Sequence, residues 1–212
     1  MTAKVLTVAQ QKGGAGKTSL VAQLAATWTA AGKRVAVVDI DPQGSLAQWF
    51  AAREQYATQD DTLHLSAVGG WRLTNELARL KNLHDIIIID SPPHAETESK
   101  LAVRAADLVL VPVQPSPMDV WATGGTVKLA QGERRPVLVV MNRVPPRANI
   151  VEAIRDLLDR QGLPVAETTL GNRVAFAASM MEGKGVVESH HLSPAADEIR
   201  ALAAELEKRL SV

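Results

Sequence analysis

The segment Lys12-Gly13-Gly14-Ala15-Gly16-Lys17-Thr18-Ser19 carries the residue types needed to hold a polyphosphate. Its three glycines let the backbone curl until successive N–H groups face one anion, and a helix starting at the Gly-Lys-Thr triplet adds the positive end of its dipole. Lys17 is then placed to reach the outer phosphates, and the Thr18 hydroxyl to hold Mg²⁺. The spacing departs from G-x-x-x-x-G-K-[ST] at its first position. Gln11 stands there instead of glycine, and a second lysine, Lys12, follows it.

Carboxylates stand at two further points. Asp39 and Asp41 in "VVDIDPQGS" lie two residues apart, so in an extended chain they point toward the same crevice. Two carboxylates beside a triphosphate repel it unless magnesium or an attacking water uses them; taken alone, the pair also fits an Asp-Pro turn with a helix N-cap. Asp90 closes "HDIIIIDSPP" after four isoleucines, the position of an acidic group that holds Mg²⁺ directly or through water. Asp85 and Asp107 open strands and read as turn residues or caps.

The elements that must position these groups alternate along the chain. Short β-branched runs occur at "KVLTVAQ", "RVAVVDI", "TLHLSAV", "DIIIID", "DLVLVPV" and "RPVLVVMN", separated by alanine- and leucine-rich segments with helical spacing. Runs apolar at nearly every residue predict strands buried on both faces, and alternation with helices predicts an α/β fold, a doubly wound, mostly parallel sheet flanked by helices. Ligands in such a sheet sit beyond the carboxyl ends of the strands, where the phosphate loop, Asp39 to Asp41 and Asp90 all fall. The first helix should stop at Gly32. No internal repeat or low-complexity linker is present, so residues 1–212 read as one domain.

Together these motifs resemble the ParA/MinD family of deviant Walker-A P-loop ATPases over nearly the whole chain. K-G-G-x-G-K-[ST] is met by Lys12 to Thr18, and D-x-D-P-Q by Asp39 to Gln43. "VPVQPSPMD", residues 111 to 119, is similar to the proline-bearing loop of the small, ParF-like ParA branch. The resemblance implies ATP and ADP as ligands with Mg²⁺, held by Lys12 to Ser19. It implies Lys12 as a signature lysine that crosses a sandwich homodimer to the partner's phosphates, as an arginine finger does. On this account the second lysine is present because a second subunit completes the site, and Gln11 is usual for the family. Asp41 would position the attacking water, and Asp39 and Asp90 would join Thr18 around magnesium. Pro115 to Asp119 would line the base or the dimer contact. Asn142 falls where many relatives read the adenine edge, and it equally suits a strand-end turn.

Composition narrows the branch. The chain has no cysteine, which excludes disulfides, thiolate metal sites and the cysteine-dependent branches of the family. Its tail places Ile199, Leu202, Ala203, Leu206 and Leu210 on one helical stripe, but the polar face mixes both signs of charge. That pattern suits a core-docked helix rather than an anionic-lipid binder. With no signal-like stretch and no apolar run approaching about 18 residues, the expectation is a cytoplasmic protein without a membrane partner. The ParA-type branch remains. It implies ATP-dependent binding to DNA without sequence preference (hence nucleoid association), a ParB-type or other activating partner, and a cargo to be spaced, whether plasmid, chromosome or protein cluster.

The formal net charge is zero, and residues 143–212 hold nine Lys/Arg against ten Asp/Glu, so no basic block marks a DNA face. Arg143, Arg147, Arg173 and Lys184 are the candidates; ordinary solvated charges are the plain alternative. Adjacent His190 and His191 point apart and read as surface residues. Two other classes compete: a P-loop metabolic enzyme of the dethiobiotin-synthetase type, opposed by Lys12 and D-x-D-P-Q, and a non-hydrolysing nucleotide-switch adaptor, opposed by Lys17 and Asp41.

Overall fold

The computed structural model describes residues 2–56, 62–93, 96–146 and 150–211. Seven parallel strands form one sheet in the order β3-β2-β4-β1-β5-β6-β7. The strands are β1 (Lys4–Val8), β2 (Val35–Asp39), β3 (Leu63–Ala67), β4 (Ile86–Asp90), β5 (Leu108–Val113), β6 (Val137–Val144) and β7 (Val165–Gly171). The helices are α1 (Lys17–Ala30), α2 (Ser45–Glu54), α3 (Leu73–Leu80), α4 (Glu96–Ala105), α5 (Pro117–Gly132), α6 (Ile150–Arg160), α7 (Val174–Met181), α8 (Val186–Ser189) and α9 (Pro194–Leu210). The doubly wound fold read from the sequence is the observed one.

The pleat explains the uninterrupted apolar runs. Ile86 and Ile88 join Leu6, Val8, Val35 and Val37 beneath α1, α2, α8 and α9. Ile87 and Ile89 join Val5, Ala36 and Val38 beneath α3 and α4 on the other face, and Val109, Val111 and Val139 pack there against α5 and α6. All four isoleucines are fully buried, each contributing about 1.5–3 kcal/mol. Because β1 lies between β4 and β5, the chain winds outward in both directions from it, and the crevice beyond its carboxyl end receives the loop to α1.

Helix α1 ends as expected. Gly32 takes a φ of +81°, the Gly32 N–H bonds the Thr29 carbonyl and the Lys33 N–H bonds that of Trp28, which is a Schellman closure. Helix α9 buries Ile199, Leu202, Ala203, Leu206 and Leu210, the stripe read from the sequence, while Arg200–Asp197 pairs on its outer face and Arg209 pairs with Glu205. Asp85 and Asp107 also behave as read: Asp107 Oδ2 accepts the Val5 N–H, and Asp85 takes both the N–H and the guanidinium of Arg34.

Strand β7 lies outside the runs that the sequence pattern marks as strands. Its Glu167, Thr168 and Thr169 break the apolar run at this edge strand; Ala166 and Leu170 pack beneath α9, while on the other face Val165 packs against the cluster beneath α5 and α6. The Glu205 carboxylate of α9 accepts the Glu167 and Thr168 N–H groups, tying the polar strand to the tail.

Candidate functional site

The loop from β1 to α1 takes its shape at Gly14 and Gly16, whose φ values are +77° and +89°. A Cβ on Gly16 would also stand 2.7 Å from Asn142 Nδ2, so glycine is required there twice over. Gly16 is the N-cap of α1 and offers no side-chain cap, which leaves the first N–H groups of the helix open to an anion.

Lys17 enters this site with only 7% of its surface exposed. Burial lowers its pKa, and the nearby charges of Asp90 and Asp41 oppose that shift. The Thr18 hydroxyl donates to Asp90 Oδ2 at 2.7 Å. Asp90 is 1% exposed, and burial, with the Asp39 and Asp41 charges adding to it, pushes its pKa up to about 7. Its other oxygen, Oδ1, is buried without a hydrogen-bond partner among the described residues. A hydroxyl and an unpaired carboxylate oxygen beside an anion cradle are a donor set suited to Mg²⁺, which keeps most of its ligands as water and phosphate. Consistent with so sparse a set, no cluster of three or more His, Asp or Glu arranged for a metal occurs among the described residues.

Asp39, expected in the magnesium shell, accepts a backbone N–H through each of its oxygens. Oδ1 accepts the Asp41 N–H at 3.0 Å and Oδ2 the Ala47 N–H at 3.2 Å. Its carboxylate folds the Asp41–Gly44 turn and caps α2, whose N-cap Gly44 has no side chain to do so. Asp41, half-buried at the turn, accepts the Gln43 N–H through Oδ1.

Asn142, near the end of β6, is engaged by the phosphate loop itself. Its Nδ2 donates to the Ala15 carbonyl at 2.9 Å and its Oδ1 accepts the Arg143 N–H, tying the end of β6 to the loop. Arg143 itself adopts a φ of +54° and turns Nη1 back to the Gly14 carbonyl, which Gln114 Nε2 also reaches. Residue patterns gave no sign of the Gln114 contact or of this role for Arg143.

Beside Gly16 and Ser19 opens a cavity of about 180 Å³, walled by Leu20, Leu170, Asn172 and Phe176 and by Asn142 and Arg143. Apolar walls with a few amide and guanidinium groups suit a flat heterocycle attached to a phosphate chain held by the loop.

The residue before the glycines is held by α5. Gln10 Nε2 donates to Thr123 Oγ1 at 3.3 Å, the Gln11 N–H to Thr126 Oγ1 at 3.3 Å, and Lys12 Nζ to Asp119 Oδ2 at 2.5 Å. Lys12 therefore does not join Lys17 in the cradle; it lies outside, 40% exposed, over a carboxylate that is 3% exposed.

Two of the DNA candidates, Arg143 and Arg173, border the same cavity. Arg143 belongs to the loop, Arg173 also borders the cavity and pairs with Glu198 at 2.5 Å, and Lys184 sits apart with Glu182 at 3.1 Å and over the Tyr56 ring. Arg147 lies outside the described residues. His190 and His191 are exposed, as expected.

The sequence model of the CobQ/CobB/MinD/ParA nucleotide binding domain matches residues 6–186. "Maintenance of carboxysome distribution protein A" of Halothiobacillus neapolitanus is 32% identical over 213 residues, covering 95% of both chains. The chromosome-partitioning ATPase Soj of Thermus thermophilus is 27% identical, covering 97% of this chain and 96% of its own. Among solved structures, the septum site-determining protein MinD of Pyrococcus horikoshii, complexed with Mg-ADP, superposes with a TM-score of 0.82 at 20% identity, covering 97% of this chain and 96% of that one.

Proposed function

The chain belongs to the CobQ/CobB/MinD/ParA nucleotide-binding family, and from that premise we propose that it is a cargo-positioning ATPase whose catalytic site is completed by a second copy of itself. The single observation that carries the proposal is the division of labour between two lysines. Lys17 is buried in its own phosphate cradle beside Asp90 and Asp41, whereas Lys12 is excluded from the cradle and held at its rim. A cation held at the rim, over Asp119 rather than in its own cradle, is placed to serve a neighbour's phosphates.

Each residue then has a task. The N–H groups of Gly13 to Ser19 hold the phosphates of ATP or ADP, and Lys17 neutralises the outer ones. Thr18 and Asp90 would hold Mg²⁺, which supplies charge neutralisation between phosphates. The cavity edged by Asn142, Leu170 and Phe176 takes the adenine. Asp41 orients water for in-line attack, and Lys12 offsets charge building on the partner's transferring phosphoryl group.

The face that would meet the second copy is apolar at its rim. Met118 and Trp121, on either side of Asp119 at the start of α5, are 62% and 64% exposed. Exposed large apolar groups flanking a charged site favour a protein contact. Hydrolysis would then separate the subunits, with a ParB-type or other partner accelerating it and non-specific DNA serving as scaffold. The carboxysome-distribution and chromosome-partitioning names of its relatives support cargo positioning as the purpose. Among the described residues no helix is long and apolar enough to cross a membrane.

Sedimentation of the parent and of Lys12→Ala, with ATP, ADP or no nucleotide, tests the proposal. The parent should pair only with ATP. Lys12→Ala should bind ADP normally but pair weakly, and its turnover should fall by roughly 10²–10³-fold. Parent-like pairing and turnover in Lys12→Ala would sink it.

A further inference from the structure

We propose that Asp119 is a positioning residue that stores Lys12 within its own subunit and so restrains ATP-dependent pairing. The inference rests on the reading that Lys12 serves a second subunit's phosphates.

One face of α5 engages three successive loop residues. Asp119, Thr123 and Thr126 recur at helical spacing and meet Lys12, Gln10 and Gln11 respectively. Gly125, on the same helix, leaves the room that the Gln11 side chain fills: a Cβ there would collide with Gln11 Oε1. The segment before the glycines is therefore fixed to α5, while Gly13 and Gly14 beyond it are exposed and have nothing near their missing Cβ atoms.

The ion pair is asymmetric in burial. Asp119 is 2% exposed, its Oδ1 has no partner among the described residues, and Oδ2 is covered by the Lys12 ammonium. Lys12 is a flexible side chain with water around much of it. For the lysine to reach across a dimer, it must leave a buried carboxylate without its cation, which is strongly unfavourable. That cost opposes pairing in every nucleotide state. Only a ligand bringing enough negative charge to the rim overcomes it, which favours a triphosphate over a diphosphate.

Replacing the carboxylate by its uncharged isostere removes the cost and leaves Lys12 intact. In Asp119→Asn, acylation of Lys12 by an amine-reactive acetyl ester, read by mass spectrometry on nucleotide-free protein, should rise several-fold. The protein concentration for half-pairing in ATP should fall by about tenfold or more. Asp119→Ser, which also lacks the charge, should behave the same way, and ADP binding serves as the control for folding. Equal labelling of Lys12 in parent and variants, or pairing that is unchanged or weaker, overturns the proposal. Lys12→Ala run alongside separates the two readings: parent-like pairing in that variant removes the trans role of Lys12, whereas the labelling result reports the Asp119 contact itself.

Discussion

Thr18 donates its hydroxyl to one oxygen of Asp90 at 2.7 Å, while the other oxygen of the same carboxylate is buried without a partner. An arrangement of this kind is costly in the absence of ligand, because a buried charge with half its lone pairs unmet is poorly solvated. The protein answers by raising the Asp90 pKa to about 7 through burial, so the carboxyl takes up a proton near neutrality. Asp90, with Thr18, would hold a divalent cation through its unpartnered Oδ1.

Asp90→Asn should therefore keep the fold and bind ATP equally well with and without Mg²⁺. In the parent, Mg²⁺ should tighten ATP by at least about tenfold, ~1.4 kcal/mol. Titration calorimetry with MgATP and with ATP in a chelator separates the two cases. An undiminished Mg²⁺ effect in Asp90→Asn would assign the metal to other groups.

Asp41 sits at a turn held by Asp39 rather than in the cradle wall, so it can be changed without emptying the phosphate site. Asp41→Ala should bind ATP and pair, yet turn over about 100-fold or more slowly. Single-turnover hydrolysis and light scattering, measured on one sample, should show a long-lived dimer. Hydrolysis at the parent rate moves water positioning to another residue.

Much of this was legible in the sequence because the residues involved are local in the chain. Glycines, Lys17 and Thr18 define the loop by spacing alone, and an all-apolar run such as Ile86 to Ile89 admits few placements besides a doubly covered strand. What was hidden depends on contacts between distant segments. Nothing near Asp119 says that it meets a residue 107 positions earlier. Asn142 was visible as a strand-end residue, but its bond to Ala15 spans 127 positions. Asp39 was visible as one of two carboxylates two residues apart, but its bonds to the Asp41 and Ala47 N–H groups depend on the turn that follows it. Strand β7 escaped because its polar residues are anchored by α9, whose Glu205 supplies partners that no local pattern predicts.

Asp85 gives a pH prediction away from the site. The Arg34 guanidinium and N–H bond its carboxylate and hold its pKa down at about 2. A depressed carboxyl is charged in the folded state when the unfolded chain has begun to protonate, so its stabilisation is complete above about pH 4 and lost toward about pH 2. The difference in urea midpoint between parent and Asp85→Asn should be constant near neutrality and shrink as pH falls through that window. The Arg34 side chain is exposed, so the difference should also shrink in high salt. A difference that grows on acidification would contradict this assignment.

The remaining prediction concerns DNA. With zero net charge, the monomer has no overall electrostatic pull on a polyanion. Among the described residues its candidate cations are also spoken for: Glu198 holds Arg173, Glu182 holds Lys184, and Arg143 faces the Gly14 carbonyl. Each acidic companion lies close enough to repel a phosphate that approaches its partner. Binding through such groups should be weak per subunit, and pairing of two subunits should raise avidity by about a hundredfold or more. Unrelated duplexes should therefore bind equally well, with ATP and not with ADP or without nucleotide. The logarithm of affinity should fall by roughly 0.9 per phosphate contact for each tenfold rise in salt. Glu182→Gln removes a repelling charge beside Lys184 and should tighten binding, whereas Lys184→Ala should weaken it and lower the salt slope by about 0.9 per subunit. Fluorescence anisotropy over a salt series reads all of these quantities. Equal binding in all three nucleotide states, or none at low salt, would turn attention from DNA to a protein scaffold.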